Sequence, residues 1–117
     1  LKNFIYERSE VVQKLSSSGD RHVNMSEGEW AEVERMLNTI DGDCFARLRE
    51  EHPDLREEDL QLCILTRLRV TNRTIGNVYG ISISAVKHRK LKLKKEVFGE
   101  NDPDTTLEQV LDKLIKN

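Results

Sequence analysis

Apolar residues in this 117-residue chain recur three and four positions apart in short stretches, and Gly, Pro or Asp-containing breaks divide one stretch from the next. That spacing lines one face of a helix, and where apolar and polar residues do alternate, as at 81–85 and 90–94, the run is short and lies within a longer helical pattern, so no segment reads as a strand. The sequence therefore predicts an all-α protein. Residues 3–16 carry Phe4, Ile5, Val11, Val12 and Leu15 at helical spacings, and Ser16-Ser17-Ser18-Gly19-Asp20 ends that helix. Ser26 followed three residues later by Glu29 is a capping-box signature, with Trp30, Val33, Leu37 and Ile40 then on one face. After the Asp41-Gly42-Asp43 turn, Phe45 and Leu48 anchor a third helix. It must stop near His52, because Pro53 disfavours helical backbone in the residue before it.

A fourth helix is predicted from about Arg56, with Glu57, Glu58 and Asp59 at its dipole-positive start and Leu60, Cys63, Ile64 and Leu68 as its inner stripe. Thr71 or Asn72 caps a short fifth helix through Tyr79, with Ile75, Val78 and Tyr79 inward and Gly76 small enough for a close helix crossing. Gly80-Ile81-Ser82 is the turn into a longer sixth helix over residues 82–98, whose Val86, Leu93 and Val97 share the core face before Gly99 ends it. Asn101-Asp102-Pro103 is a further break. Thr105 or Thr106 then caps a last helix with Leu107, Val110, Leu111, Leu114 and Ile115 in one stripe, which either folds back on the domain or pairs with a second copy.

This length suits one core, so residues 1–55 form an acidic helical layer, 56–99 the central unit and 100–117 an amphipathic addition within one structural unit. The start at Leu1-Lys2-Asn3, without Met, predicts a piece of a longer polypeptide whose remainder can be membrane-anchored. No apolar run approaches the roughly 20 residues that span a bilayer. Cys44 and Cys63 stand far apart with no metal-ligand spacing, and Cys63 on an apolar stripe reads as a packed thiol in a reducing cytoplasm.

Charge is distributed unevenly. Residues 60–95 contain nine Lys and Arg and no Asp or Glu, leaving ten bases against 21 acids in the rest of a chain whose net charge is only −2. The nine are Arg67, Arg69, Arg73, Lys87, Arg89, Lys90, Lys92, Lys94 and Lys95. A solvated helix ordinarily mixes signs; one that accepts repulsion of roughly 0.2–0.5 kcal/mol per like-charged pair, with no acid in reach, predicts a polyanionic partner.

A short helix, a turn containing Gly and a longer basic helix are the parts of a helix-turn-helix, in the order that places the basic helix in the major groove of DNA. With Val86, Leu93 and Val97 inward, Ser84, His88, Leu91, Lys92 and Lys95 turn outward and Lys87 lies on their flank. Ser84, Lys87 and His88 are the candidates for direct base contact. Leu91 either touches thymine methyl groups or is partly covered beside Val86. Phosphate contacts are assigned to Asn72, Arg73, Ser82, Arg89, Lys92 and Lys95, aided by the dipole-positive helix starts at Asn72 and Ser82.

The stretch from Leu60 to Gly99, with Thr71-Asn72, Ile75, Gly80-Ile81-Ser82, Ser84-Ala85-Val86-Lys87 and Leu93, resembles the C-terminal helix-turn-helix of LuxR-type regulators. It is most similar to the version that ends Bacteroidetes sensor-regulators. The resemblance implies a transcriptional output domain fed by an N-terminal sensor, coiled-coil or receiver segment, and it places Lys87, His88 and Leu91 where that family reads bases. The chain departs from the family pattern at Arg89, where His is usual, with His88 one position earlier, and at Gly76, where Ala is usual.

The leading expectation is sequence-specific binding of double-stranded DNA by a homodimer on half-sites one helical turn apart, with no cofactor and no metal. One alternative is promoter recognition with RNA polymerase, from the similarity of such motifs to sigma-factor region four. Another is a protein-interaction module built on the acidic helices or the last helix. Catalysis is not expected: His22, His52 and His88 lie in separate elements, and no acid/base carboxylate pair, phosphate loop or nucleophile elbow is present.

Overall fold

The first amides of a helix have no partner within it, and at six of the seven helix starts described a side-chain oxygen accepts from at least one of them. In the computed structural model, which describes residues 9–116, the described residues form seven helices and no strand. Ser9 caps α1 (Glu10–Ser16) by accepting from the Val12 amide. The part of the predicted first helix that holds Phe4 and Ile5 lies outside the described residues. α2 (Glu27–Ile40) opens with the full capping box: Ser26 Oγ accepts from the Glu29 amide at 3.1 Å, and Glu29 Oε1 accepts from the Ser26 amide at 3.0 Å.

α3 (Cys44–Glu51) is capped differently. Asp43 before it sits in the left-handed region at φ 58° and makes no side-chain cap, so Asn38 Oδ1, from α2, accepts from the Phe45 and Ala46 amides at 2.9 and 3.2 Å. α4 (Glu57–Arg67) starts one residue after Arg56, its acids in the first turn. Thr71, rather than Asn72, caps α5 (Asn72–Tyr79), and Ser82 caps α6 (Ile83–Glu96). α6 ends two residues before the predicted Phe98, with Val97 as its C-cap and Gly99 at φ 67° beyond. Thr106, rather than Thr105, caps α7 (Leu107–Lys116) and exchanges hydrogen bonds with Gln109.

The centre of the fold is α4. Leu60, Leu62, Cys63, Ile64, Leu65 and Thr66 are all buried, so the helix is covered on more than the predicted stripe, and Leu68 is only half-buried. The cause is its position: α2 and α7 pack on it, while Leu62 meets the α5 and α6 side with Ile75 and Val86. Thr66 tolerates burial because its hydroxyl donates to the Leu62 carbonyl at 2.7 Å. The stripe of α7 folds back: Leu107, Val110 and Leu111 are buried against α4 and α6, and Leu114 remains exposed.

Ion pairs fix these helices to one another. Arg67 makes two hydrogen bonds to Asp41, whose side chain is completely buried at the end of α2, and also lies 3.6 Å from Asp112 of α7. Arg69, left-handed at φ 62°, reaches the same Asp112 at 2.7 Å. Arg49 binds Glu34 and Glu57, joining α2, α3 and α4 and holding its guanidinium well above the usual arginine range. The loop after α1 is fastened to α5, where Asn77 donates to the Gly19 carbonyl and accepts from the Val23 amide.

Candidate nucleic-acid interface

The angle between α5 and α6 is set in their connecting turn. Gly80 adopts φ 67°, and the Ile81 amide donates back to the Gly76 carbonyl at 2.9 Å. The Ile81 carbonyl then lies over the Gly76 Cα, 2.5 Å from where a Cβ would stand, while Val86 would be in ordinary contact at 3.7 Å. Gly76 is therefore required by the backbone of the turn rather than by the crossing of the helices. The methyl of an Ala at this position has no room unless the turn moves. Ile75 and Val86, both fully buried, close the two helices together.

α6 has two unlike basic flanks. On one, Lys94 is 2% exposed and its ammonium donates to the Asp102 and Thr105 carbonyls, both at 2.8 Å. One turn earlier Lys90 is half-buried, 3.6 Å from Glu108 of α7; burial lowers its pKa from the ordinary lysine value and Glu108 restores part. The other is broader and exposed, taking in Ser84, Lys87, His88, Leu91, Lys92 and Lys95, with Lys87 and Leu91 at its edge on the groove that Lys90 and Lys94 also line; Lys87, Lys92 and Lys95 have no ion pair among the described residues. No acid interrupts this helix from Ile83 to Lys95.

The expectation of a basic window without acids in reach thus needs correcting. Folding brings acids from outside the window onto Arg67, Arg69, Arg73 and Lys90, and carbonyls onto Lys94. The wheel contained part of this outcome. At about 100° per residue, Lys90 and Lys94 fall about 40° and 80° from buried Val86, on the side that another element can cover.

The other predicted contacts are dispersed around this face. Asn72 is half-buried at the start of α5 and borders a groove of about 380 Å³ with Lys87 and Leu91. Arg73 is exposed but paired with Asp20. Ser82 is exposed, with its hydroxyl engaged by the Ala85 amide at 3.1 Å. Arg89 leans back over the Tyr79 ring, 5.8 Å from its centroid, while Tyr79 donates its hydroxyl to Gln61. Leu91 is 42% exposed and borders the same groove as Asn72 and Lys87. Ile83, 44% exposed one turn before Lys87, is the residue that sequence reasoning passed over.

Little else in the described residues carries chemistry. Burial pushes the Cys63 thiol up to about 12, and burial together with Asp41 pushes Cys44 up to about 11, so both are protonated thiols at neutral pH. No group of three or more His, Cys, Asp or Glu among the described residues is placed to hold a metal ion. No helix among them is long and apolar enough to cross a membrane. Comparison with protein-family models, with curated proteins and with solved structures finds no match.

Proposed function

We propose that the chain is a sequence-specific DNA-binding domain, the output module of a transcriptional regulator, and that α5, its turn and α6 act as a helix-turn-helix. The observation that carries this reading is the division of the cations: Lys90 and Lys94, covered by α7 and the loop before it, are held by protein groups, while Lys87, Lys92 and Lys95 are exposed with no ion pair among the described residues, on a helix whose one acid is its last residue, Glu96. A face of this kind gains by meeting phosphates and releasing the counterions around them. Ser84, Lys87, His88 and Leu91 stand towards the base edges, and Lys92 and Lys95 lie further along, against the backbone. Arg73 and Arg89 join them by exchanging an exposed ion pair and a ring contact for phosphate, exchanges that cost about 1 kcal/mol or less each.

The domain measures 33 × 32 × 24 Å, a width compatible with two copies bound on half-sites about one DNA turn apart. Duplex binding by the double variant Lys92→Glu and Lys95→Glu tests the reading. Both residues are exposed, so the fold remains and affinity falls at least about tenfold. Undiminished affinity would place the DNA contact elsewhere than on this face.

A further inference from the structure

Three large apolar side chains are well exposed among the described residues, Ile83 at 44%, Leu91 at 42% and Leu114 at 37%, and two of them stand on the acid-free face of α6. Ile83, Lys87 and Leu91 are successive residues of an i, i+4, i+8 ridge, so a cation is bracketed by two branched apolar groups one turn away on each side. The ridge is about 12 Å long, comparable with three to four base-pair steps. Both apolar groups are more than 40% exposed, Ile83 about 60° and Leu91 about 140° round the helix from Val86, whose side chain and that of Leu93 are the ones the fold closes over.

Resting on the DNA-binding reading above, we propose that Ile83 and Leu91 recognise the 5-methyl groups of pyrimidines in the major groove, so that the domain distinguishes thymine from uracil. The occupant follows from charge complementarity. A second copy seated on this ridge would oppose Lys87, Lys92 and Lys95 to themselves, whereas a duplex offers phosphates to the cations and thymine methyl groups to the apolar ends. Lys87, between them, is left to donate to guanine acceptors at an intervening pair.

Duplexes enriched from a random library by the whole chain, with single thymines replaced by deoxyuridine, provide the test. At one or two positions the replacement lowers affinity about fourfold, the value of burying one methyl group. In Ile83→Ala or Leu91→Ala, whose melting temperatures stay near that of the parent, the replacement at the corresponding position costs nothing further. If enriched duplexes contain no thymine, if every replacement is neutral, or if both variants keep the full penalty, the methyl-reading proposal is overturned while DNA binding stands. If no duplex is enriched at all, the DNA-binding reading falls and takes this one with it.

Discussion

Lys90 and Lys94, covered on α6, and Lys87, Lys92 and Lys95, exposed on it, are the same residue type on the same helix, and their surroundings give them different roles. The first pair lies under α7 and the loop before it, with a carboxylate or carbonyl oxygens supplied to the ammonium. The second group faces outward with no ion pair among the described residues. Charge counted along a sequence overstates the charge available to a partner, because the fold uses some cations internally. What remains is the quantity that bears on DNA.

The comparison breaks most visibly at the internal cations. Arg67→Ala leaves the buried Asp41 carboxylate without its guanidinium and should lower unfolding stability by about 3–5 kcal/mol, read from urea denaturation. Lys94→Ala removes a buried aliphatic stem and the ammonium donor to two carbonyls, of which that of Asp102 keeps the Thr105 amide, a loss of about 2 kcal/mol. Lys95→Ala, one position later and exposed, should stay within about 0.5 kcal/mol. Equal losses at 94 and 95 would mean that the two flanks do not differ.

Much of this architecture was legible locally. The Ser26–Glu29 box, the stops at Pro53 and Gly80, and the apolar stripes of α2 and α7 each depend on residues within a turn or two of one another. The Asn38 cap on α3 was not legible, because the helix start carries Asp43, a residue that ordinarily caps by itself. The links Arg67–Asp41 and Arg69–Asp112 join residues 26 and 43 positions apart and exist only once α2, α4 and α7 have packed. For the interface, the outward face was legible from the wheel, but its true charge depended on those distant acids.

Among the outward cations, Lys87→Ala should cost about 1–3 kcal/mol on an enriched duplex and relax preference at one base pair, whereas Lys92→Ala should weaken all duplexes alike. Competition between enriched and random DNA separates the two, and equal losses on both DNAs for both variants would abolish the division between base and backbone contacts.

The smallest effect belongs to carboxylates far from this face. Hydrogen bonds from the Ser26 amide and from Lys14 hold Glu29 below its ordinary value of 4.5, and the Asp104 amide, then Thr105, hold Asp102 below 3.8. With folded values lower than unfolded ones, their contribution is fully present above those ordinary values and is lost as pH falls through the folded values. Melting temperature should therefore be insensitive to these two groups above about pH 5 and decline in more acid solution, with a shallower decline in Glu29→Gln.

The central claim is most directly tested by fluorescence anisotropy of duplex DNA across a salt series, comparing the parent chain with Lys95→Ala and Lys90→Ala. The outward-face account predicts that log K falls linearly with log salt, that Lys95→Ala makes the slope shallower by about 0.9, and that Lys90→Ala leaves the slope unchanged. Absence of binding at low salt, or equal changes in slope for the two variants, would contradict it.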